Sequence, residues 1–278
     1  DAVTIARSRS HIIKYYNTND VGKFPTRLAP VSRRPKLTDL NNAITFADIA
    51  EMLNNLNLSI YTPSFFIFDS EKDNYGIDFQ GKGLTVDGRE KGLRKLMAIN
   101  LLKRLESSVN SFRLTLTRIH DFIKDSITAI DKFQESGAGI IDVTEFSDDF
   151  DNEDNENDPF VGRKSKINLR DMDYVSWRRD LKADLEMLEL LIFMLKDITP
   201  EHDTKLQQLV ADLKNKFEHP INGTNKKVLI FTAFADTANY LYEQLSDRIL
   251  NDCGLHTALI TGSTEGKCTL PKLKCTFN

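Results

Sequence analysis

The chain has 278 residues, 40% of them hydrophobic and 28% charged, with a net charge of −4. That balance excludes wholesale disorder, a collagen-like repeat and a membrane-embedded chain, and no apolar run reaches the roughly 18 residues of a transmembrane helix. The length fits one or two domains at roughly 150 residues each.

The chain opens on Asp1 with neither Met nor a signal-peptide pattern, so it is expected to be an internal piece of a longer protein. Residues 1–40 are basic, with eight Lys/Arg against three acids. Within them, VTIARSRSHIIKYY (3–16) mixes apolar and basic residues. GKFPTRLAPVSRRPKL (22–37) contains three prolines and reads as an extended connector with a short strand. Thr45 is placed to cap a helix over 46–57, with Phe46, Ile49, Ala50, Leu53 and Leu56 on one face. SIYTPSFFIF (59–68) is an apolar burst, and 69–88 is a loop rich in Gly and Asp.

The strongest periodicity follows. Leu105, Val109, Phe112, Leu116, Ile119 and Ile123 step by alternating fours and threes, as do Tyr174, Arg178, Leu181, Leu185, Leu188, Ile192 and Leu195. Such steps keep one seam on one side of a helix. Two seams joined by a loop predict a long antiparallel helical hairpin. One helix over 90–134 would span on the order of 65 Å, and the Ser107-Ser108 pair is its expected break. Residues 88–134 carry ten Lys/Arg against five acids; Lys103-Arg104 fits either a nucleic-acid track or a solvated face. Trp177, beside the second seam, fits helix packing better than base stacking.

Between the seams, 142–158 holds nine acids and no base. Like charge with few large apolar groups cannot offset ordering entropy, so 136–168 reads as an exposed, mobile loop. Asp149, Asp151 and Glu153 alternate with the spacing of calcium ligands. However, the Gly and the distal Glu of an EF-hand loop are missing.

Thr204 opens another amphipathic helix, ended by Pro220 and Asn222-Gly223. Then the period changes. KKVLIFTAF (226–234) reads as a strand buried on both faces, 235–249 as a helix, and HTALITG (256–262) as a second buried strand. Strand, helix, strand with short links predicts a right-handed parallel unit. The five histidines are scattered, without metal-ligand spacing. Cys253, Cys268 and Cys275 crowd the last 26 residues. An odd set at one end is no disulfide framework, so reduced thiols and a cytoplasmic location are expected.

In a parallel sheet, ligands meet the loops at the carboxyl ends of strands. Those loops would be Thr232-Ala233-Phe234 and Gly262-Ser263-Thr264. Small and hydroxyl-bearing residues allow a phosphodiester to approach and accept hydrogen bonds; equally, these are two ordinary turn sequences.

KVLIFTAFADTANYLYEQL, followed by ALITGST, resembles the start of the second RecA-like lobe of superfamily-two helicases, nearest the Snf-type (Swi/Snf-like) branch. There the strand corresponds to motif IV, and the Gly-Ser-Thr turn adjoins it as a DNA-backbone contact. ARSRSHIIKYY resembles the Arg-rich exit from the first lobe, with Ala6 in place of its first Arg and Arg7 and Arg9 retained. GKFPTRL resembles the Leu-Pro connector, and DTKLQQLVADL the helix before the second lobe.

The resemblance implies a mostly α chain with a small α/β part. Residues 1–37 would be the first-lobe exit and connector, 38–200 a helical insertion, and 201–278 a linker helix and curtailed second RecA-like lobe. It implies an ATP-dependent DNA translocase that contacts double-stranded DNA through Thr232, Gly262, Ser263 and Thr264, with Arg7 and Arg9 contributing. ATP and Mg²⁺ would serve the intact parent. No G-x-x-x-x-G-K-[ST] loop, Asp-Glu-x-His box or arginine-finger motif occurs in this chain, so it should not hydrolyse ATP by itself. The motor assignment depends on parallel pairing after Lys226. The rival is a non-enzymatic coiled-coil arm that binds a protein partner. A Rossmann-like nucleotide-sugar enzyme ranks below both, because a Gly-rich fingerprint is missing.

Overall fold

A computed structural model describes residues 9–16, 24–75, 86–136, 140–146, 162–262 and 266–271. The chain is mostly helical. Helices α1 (Arg9–Tyr15), α2 (Phe46–Asn54), α3 (Val86–Ser107) and α4 (Val109–Ser136) precede strands β1 (Ile140–Phe146) and β2 (Gly162–Asn168). Helices α5 (Tyr174–Leu195), α6 (Thr204–Glu218) and α7 (Ala235–Cys253) follow, then β3 (Ala258–Leu259) and β4 (Lys267–Cys268). The chain divides into two compact units, one of Asp1–Arg34 with Asp212–Val228, the other of Pro35–Ala211 with Leu229–Asn278. Among the described residues, no helix is long and apolar enough to cross a membrane.

In the first unit the proline-rich connector forms no strand over 24–34. Its prolines withhold N–H donors, and side chains supply the ties instead. Thr26 N–H donates to Asn222 Oδ1 at 2.8 Å, and Asn222 Nδ2 donates back to the Thr26 carbonyl at 3.4 Å. The next residue, Gly223, turns the chain at φ +60°. Arg33 pairs with Asp212 at 3.1 Å.

The second unit holds the main core. Thr45 forms a reciprocal cap at the start of α2: its Oγ1 accepts the Asp48 N–H at 3.3 Å, and Asp48 accepts the Thr45 N–H at 2.8 Å. Ile49 and Leu53 are the buried face of α2. On α4, Phe112, Leu116, Ile119 and Ile123 are fully buried, as their spacing requires. Helix α4 packs on α5. Arg178 Nε donates to Asp131 at 2.6 Å, and Arg113 reaches the Leu195 carbonyl at 3.5 Å.

The buried face of α5 differs from the expected seam. It runs Trp177, Leu181, Asp184, Leu188, Leu191 and Leu195, so Arg178 lies outside it and pairs with Asp131. The reason is Asp184, a carboxylate sunk in the core. It accepts the backbone N–H of Asn57 at 2.7 Å and of Ser59 at 2.9 Å. Between them Leu58 takes a left-handed conformation, φ +53°, with its side chain buried. That conformation costs a non-glycine residue roughly 1–2 kcal/mol, and the paired N–H bonds on either side offset the cost. Trp177 Nε1 donates to the Ser59 carbonyl at 3.0 Å, closing the turn onto α5.

Three expectations need correction. The stretch 136–168 is not all loop: β1 and β2 pair antiparallel from Ile140↔Asn168 to Phe146↔Gly162. The register sets Asp142 opposite Lys166 and Glu145 opposite Arg163. The acidic run between the two strands concealed this. Asp149, Asp151 and Glu153 lie outside the described residues.

Residues 226–234 form no strand; Leu229 and Phe231 are 83% and 89% exposed. The second expected strand shrinks to β3, which pairs antiparallel with β4, and no parallel pairing occurs among the described residues. A strand suited to burial on both faces needs neighbours and two covering layers, and one strand–helix–strand unit cannot supply them.

Burial pushes the Asp184 carboxyl above its ordinary value of 3.8, against the opposing pull of the backbone N–H groups. Between those two values the folded state holds a proton that the unfolded state has released. This group's contribution to stability therefore falls as pH rises through that window. The stability of the native chain minus that of Asp184→Asn should accordingly be greatest below the window and decline across it. Asp184→Ala, which orphans the N–H donors, should cost about 3 kcal/mol at neutral pH. Urea unfolding followed through the single tryptophan checks both.

Candidate functional site

The sequence LLKRLESSVNSF contains a helix break. Helix α3 ends at Ser107, and α4 begins at Val109, as the serine pair predicts. Ser108 caps α4: its Oγ accepts the Ser111 N–H at 2.9 Å. The last carbonyls of α3 are met from outside. Lys205 Nζ donates to the carbonyl of Glu106 and, at 3.0 Å, to that of Ser107. A cation at a helix C-terminus also answers the macrodipole.

The start of α7 docks on this break. Asp236, in its first turn, receives Arg118 through two nitrogens at 2.9 and 3.2 Å and Arg104 at 3.1 Å. Thr237 Oγ1 shares hydrogen bonds with Ser107 Oγ at 2.7 Å and Ser108 Oγ at 3.2 Å. The Arg104 guanidinium also stands 4.5 Å from the centre of the Phe234 ring, and Phe234 is the N-cap residue of α7. Two arginines converge on the Asp236 carboxylate, and Lys205 faces the carboxylates of Asp203 and Glu106. Burial lowers the Arg104 pKa, with Asp236 opposing the shift, and burial likewise lowers that of Lys205. Further along α7, Tyr240 donates its hydroxyl to Asp203 at 3.0 Å. Burial first, then the Asp203 carboxylate, raises the pKa of this phenol.

Of the residues singled out by sequence, Thr232 is half-buried, and its hydroxyl donates to the Phe234 carbonyl at 2.9 Å. Gly262 is exposed in the same unit. Arg9 belongs to the other unit, where its guanidinium donates to the Pro25 carbonyl at 3.0 Å and lies 4.8 Å from the Phe24 ring centre. Arg7, Ser263 and Thr264 lie outside the described residues. Lys103 is exposed, whereas Arg104 is neither a free track nor a solvated face.

Sequence reasoning missed Arg118 and Asp236. Their pairing joins positions 118 residues apart. The only local signal was an acid in the first turn of a predicted helix. Trp177 is a packing residue, as expected. Among the described residues, no group of three or more His, Cys, Asp or Glu could hold a metal ion, and Cys253 and Cys268 are free thiols.

No family model, curated protein or solved structure matches the chain.

Ser108→Ala removes both the α4 cap and a bond to Thr237. It should destabilise the chain by about 1–2 kcal/mol, read as a lower urea midpoint at unchanged slope.

Proposed function

We propose that the chain is part of an ATP-dependent DNA translocase of the Snf type. In this reading it contributes a helical arm and backbone contacts rather than the hydrolytic machinery. The observation that carries the reading is the segment from Lys226 to the end of α7. A strand-type run, Val228–Phe231, stands exposed, followed by Thr232 at the turn into a helix whose first-turn Asp236 is gripped by Arg104 and Arg118. That is what the opening of a second RecA-like lobe would look like without neighbouring strands beside it. The assignment depends on parallel pairing after Lys226, and the described residues contain none, so the reading requires further strands to pair with 226–234. Helices α4 and α5 then serve as the two limbs of the antiparallel hairpin arm, and double-stranded DNA is the partner. ATP and Mg²⁺ belong to the intact parent.

The antiparallel pairing of β3 with β4 favours the second reading, a non-enzymatic arm that docks another protein. Salt separates the two. Under the first, the chain shifts duplex DNA, and log affinity falls linearly with log salt, with a slope of about −0.9 per phosphate neutralised. No binding, or binding indifferent to salt, would leave only the scaffold. The assay is an electrophoretic shift of a duplex of random sequence across salt.

A further inference from the structure

We infer that Arg104, Asp236 and Arg118 form a latch that holds the start of α7 on the α3–α4 break, making them positioning residues for the Thr232–Phe234 turn. The functional half of this inference rests on the backbone-contact reading above; the structural half does not. One run of contacts joins the turn to the break. The Thr232 hydroxyl donates to the Phe234 carbonyl, the Phe234 ring lies against the Arg104 guanidinium, and Arg104 shares Asp236 with Arg118. Beside it Thr237 is held by both serines of the break.

Apolar burial does not provide this fixing. The buried residues of α7 are Ala235, Thr237, Tyr240, Leu245 and Ser246, and only Ala235 is an apolar residue near the turn. A two-pronged guanidinium–carboxylate pair sets orientation as well as distance, which suits it to aiming a helix end. Both arginines are only 14% and 31% exposed and are engaged by Asp236, so their charge is committed to the protein. The phosphate contact is then left to the backbone N–H groups of the turn, since the Thr232 hydroxyl already donates to the Phe234 carbonyl.

Amide hydrogen exchange by mass spectrometry and DNA titration across salt, both on the whole chain, test the latch. The variants are Asp236→Asn, Arg118→Gln, the two combined, and Asp236→Glu, which keeps a carboxylate for both arginines. Asp236→Asn and Arg118→Gln should each speed exchange at residues 237–240 by roughly tenfold or more while residues 181–191 of α5 keep their protection. The combined variant should be no worse than either single one, and Asp236→Glu should keep most of the protection that Asp236→Asn loses. Asp236→Asn and Arg118→Gln should weaken DNA binding by the same factor with the salt slope unchanged.

Unaltered exchange in α7 overturns the latch. So does the pattern of a direct phosphate grip, in which Arg118→Gln lowers the slope by about one and Asp236→Asn tightens binding. If Asp236→Asn or Arg118→Gln unfolds the chain, Asp236→Glu decides: near-native protection at residues 237–240 supports the latch and its loss removes it. If even the native chain ignores DNA, the translocase reading fails on its own, and the exchange data still judge the latch.

Discussion

The larger unit is organised around a buried carboxylate. Asp184 occupies a position on α5 that a leucine would otherwise take, and it binds the N–H groups on either side of Leu58. Burying a charge is costly unless it is fully hydrogen-bonded. Here the cost offsets two others: the left-handed Leu58 and the otherwise orphaned donors of a tight turn. With Trp177 bonded to the Ser59 carbonyl, the segment after α2 is fastened to α5 at both donor and acceptor sites. The apolar face of α5 is selected accordingly, since Asp184 and Trp177 define which side turns inward.

A second organising principle is that helix ends are closed by residues from distant elements. The break between α3 and α4 leaves terminal carbonyls and N–H groups in a semi-buried place. Ser108 closes one end locally, and Lys205 closes the other from α6. Asp203 does similar service, accepting the Leu206 N–H at the start of α6 while receiving the Tyr240 hydroxyl. The same side chains that satisfy one helix therefore tie down the next. The α3–α4 break, α6 and α7 are joined chiefly by polar contacts, whereas α4 and α5 are joined by leucine, isoleucine and phenylalanine.

What could be read from the residues follows from range. Local signals held: the Thr45 cap, the serine break, the buried stripe of α4 and the helix after Phe234 each depend on neighbours within a turn or two. Signals that need a distant partner did not. The seam of α5 was misplaced because an aspartate counts as polar until the backbone donors of residues 57–59 are known. The strands of 140–146 and 162–168 were hidden by the acidic run that separates them. At the candidate site, Thr232 and Arg104 were noticed individually. The carboxylate that unites Arg104 with Arg118 arises only when α7 meets α4, a contact no local period encodes.

The run Val228–Phe231 has a further consequence for handling the molecule. Four consecutive apolar residues open to water form a self-adhesive stretch, and such stretches drive precipitation through strand-to-strand stacking between molecules. Lys226 and Lys227 stand directly before it, exposed, and act as charged gatekeepers that repel an approaching copy. Colloidal behaviour should thus worsen as salt screens those two ammonium groups, so the concentrations a solution will tolerate depend on ionic strength as well as on fold stability.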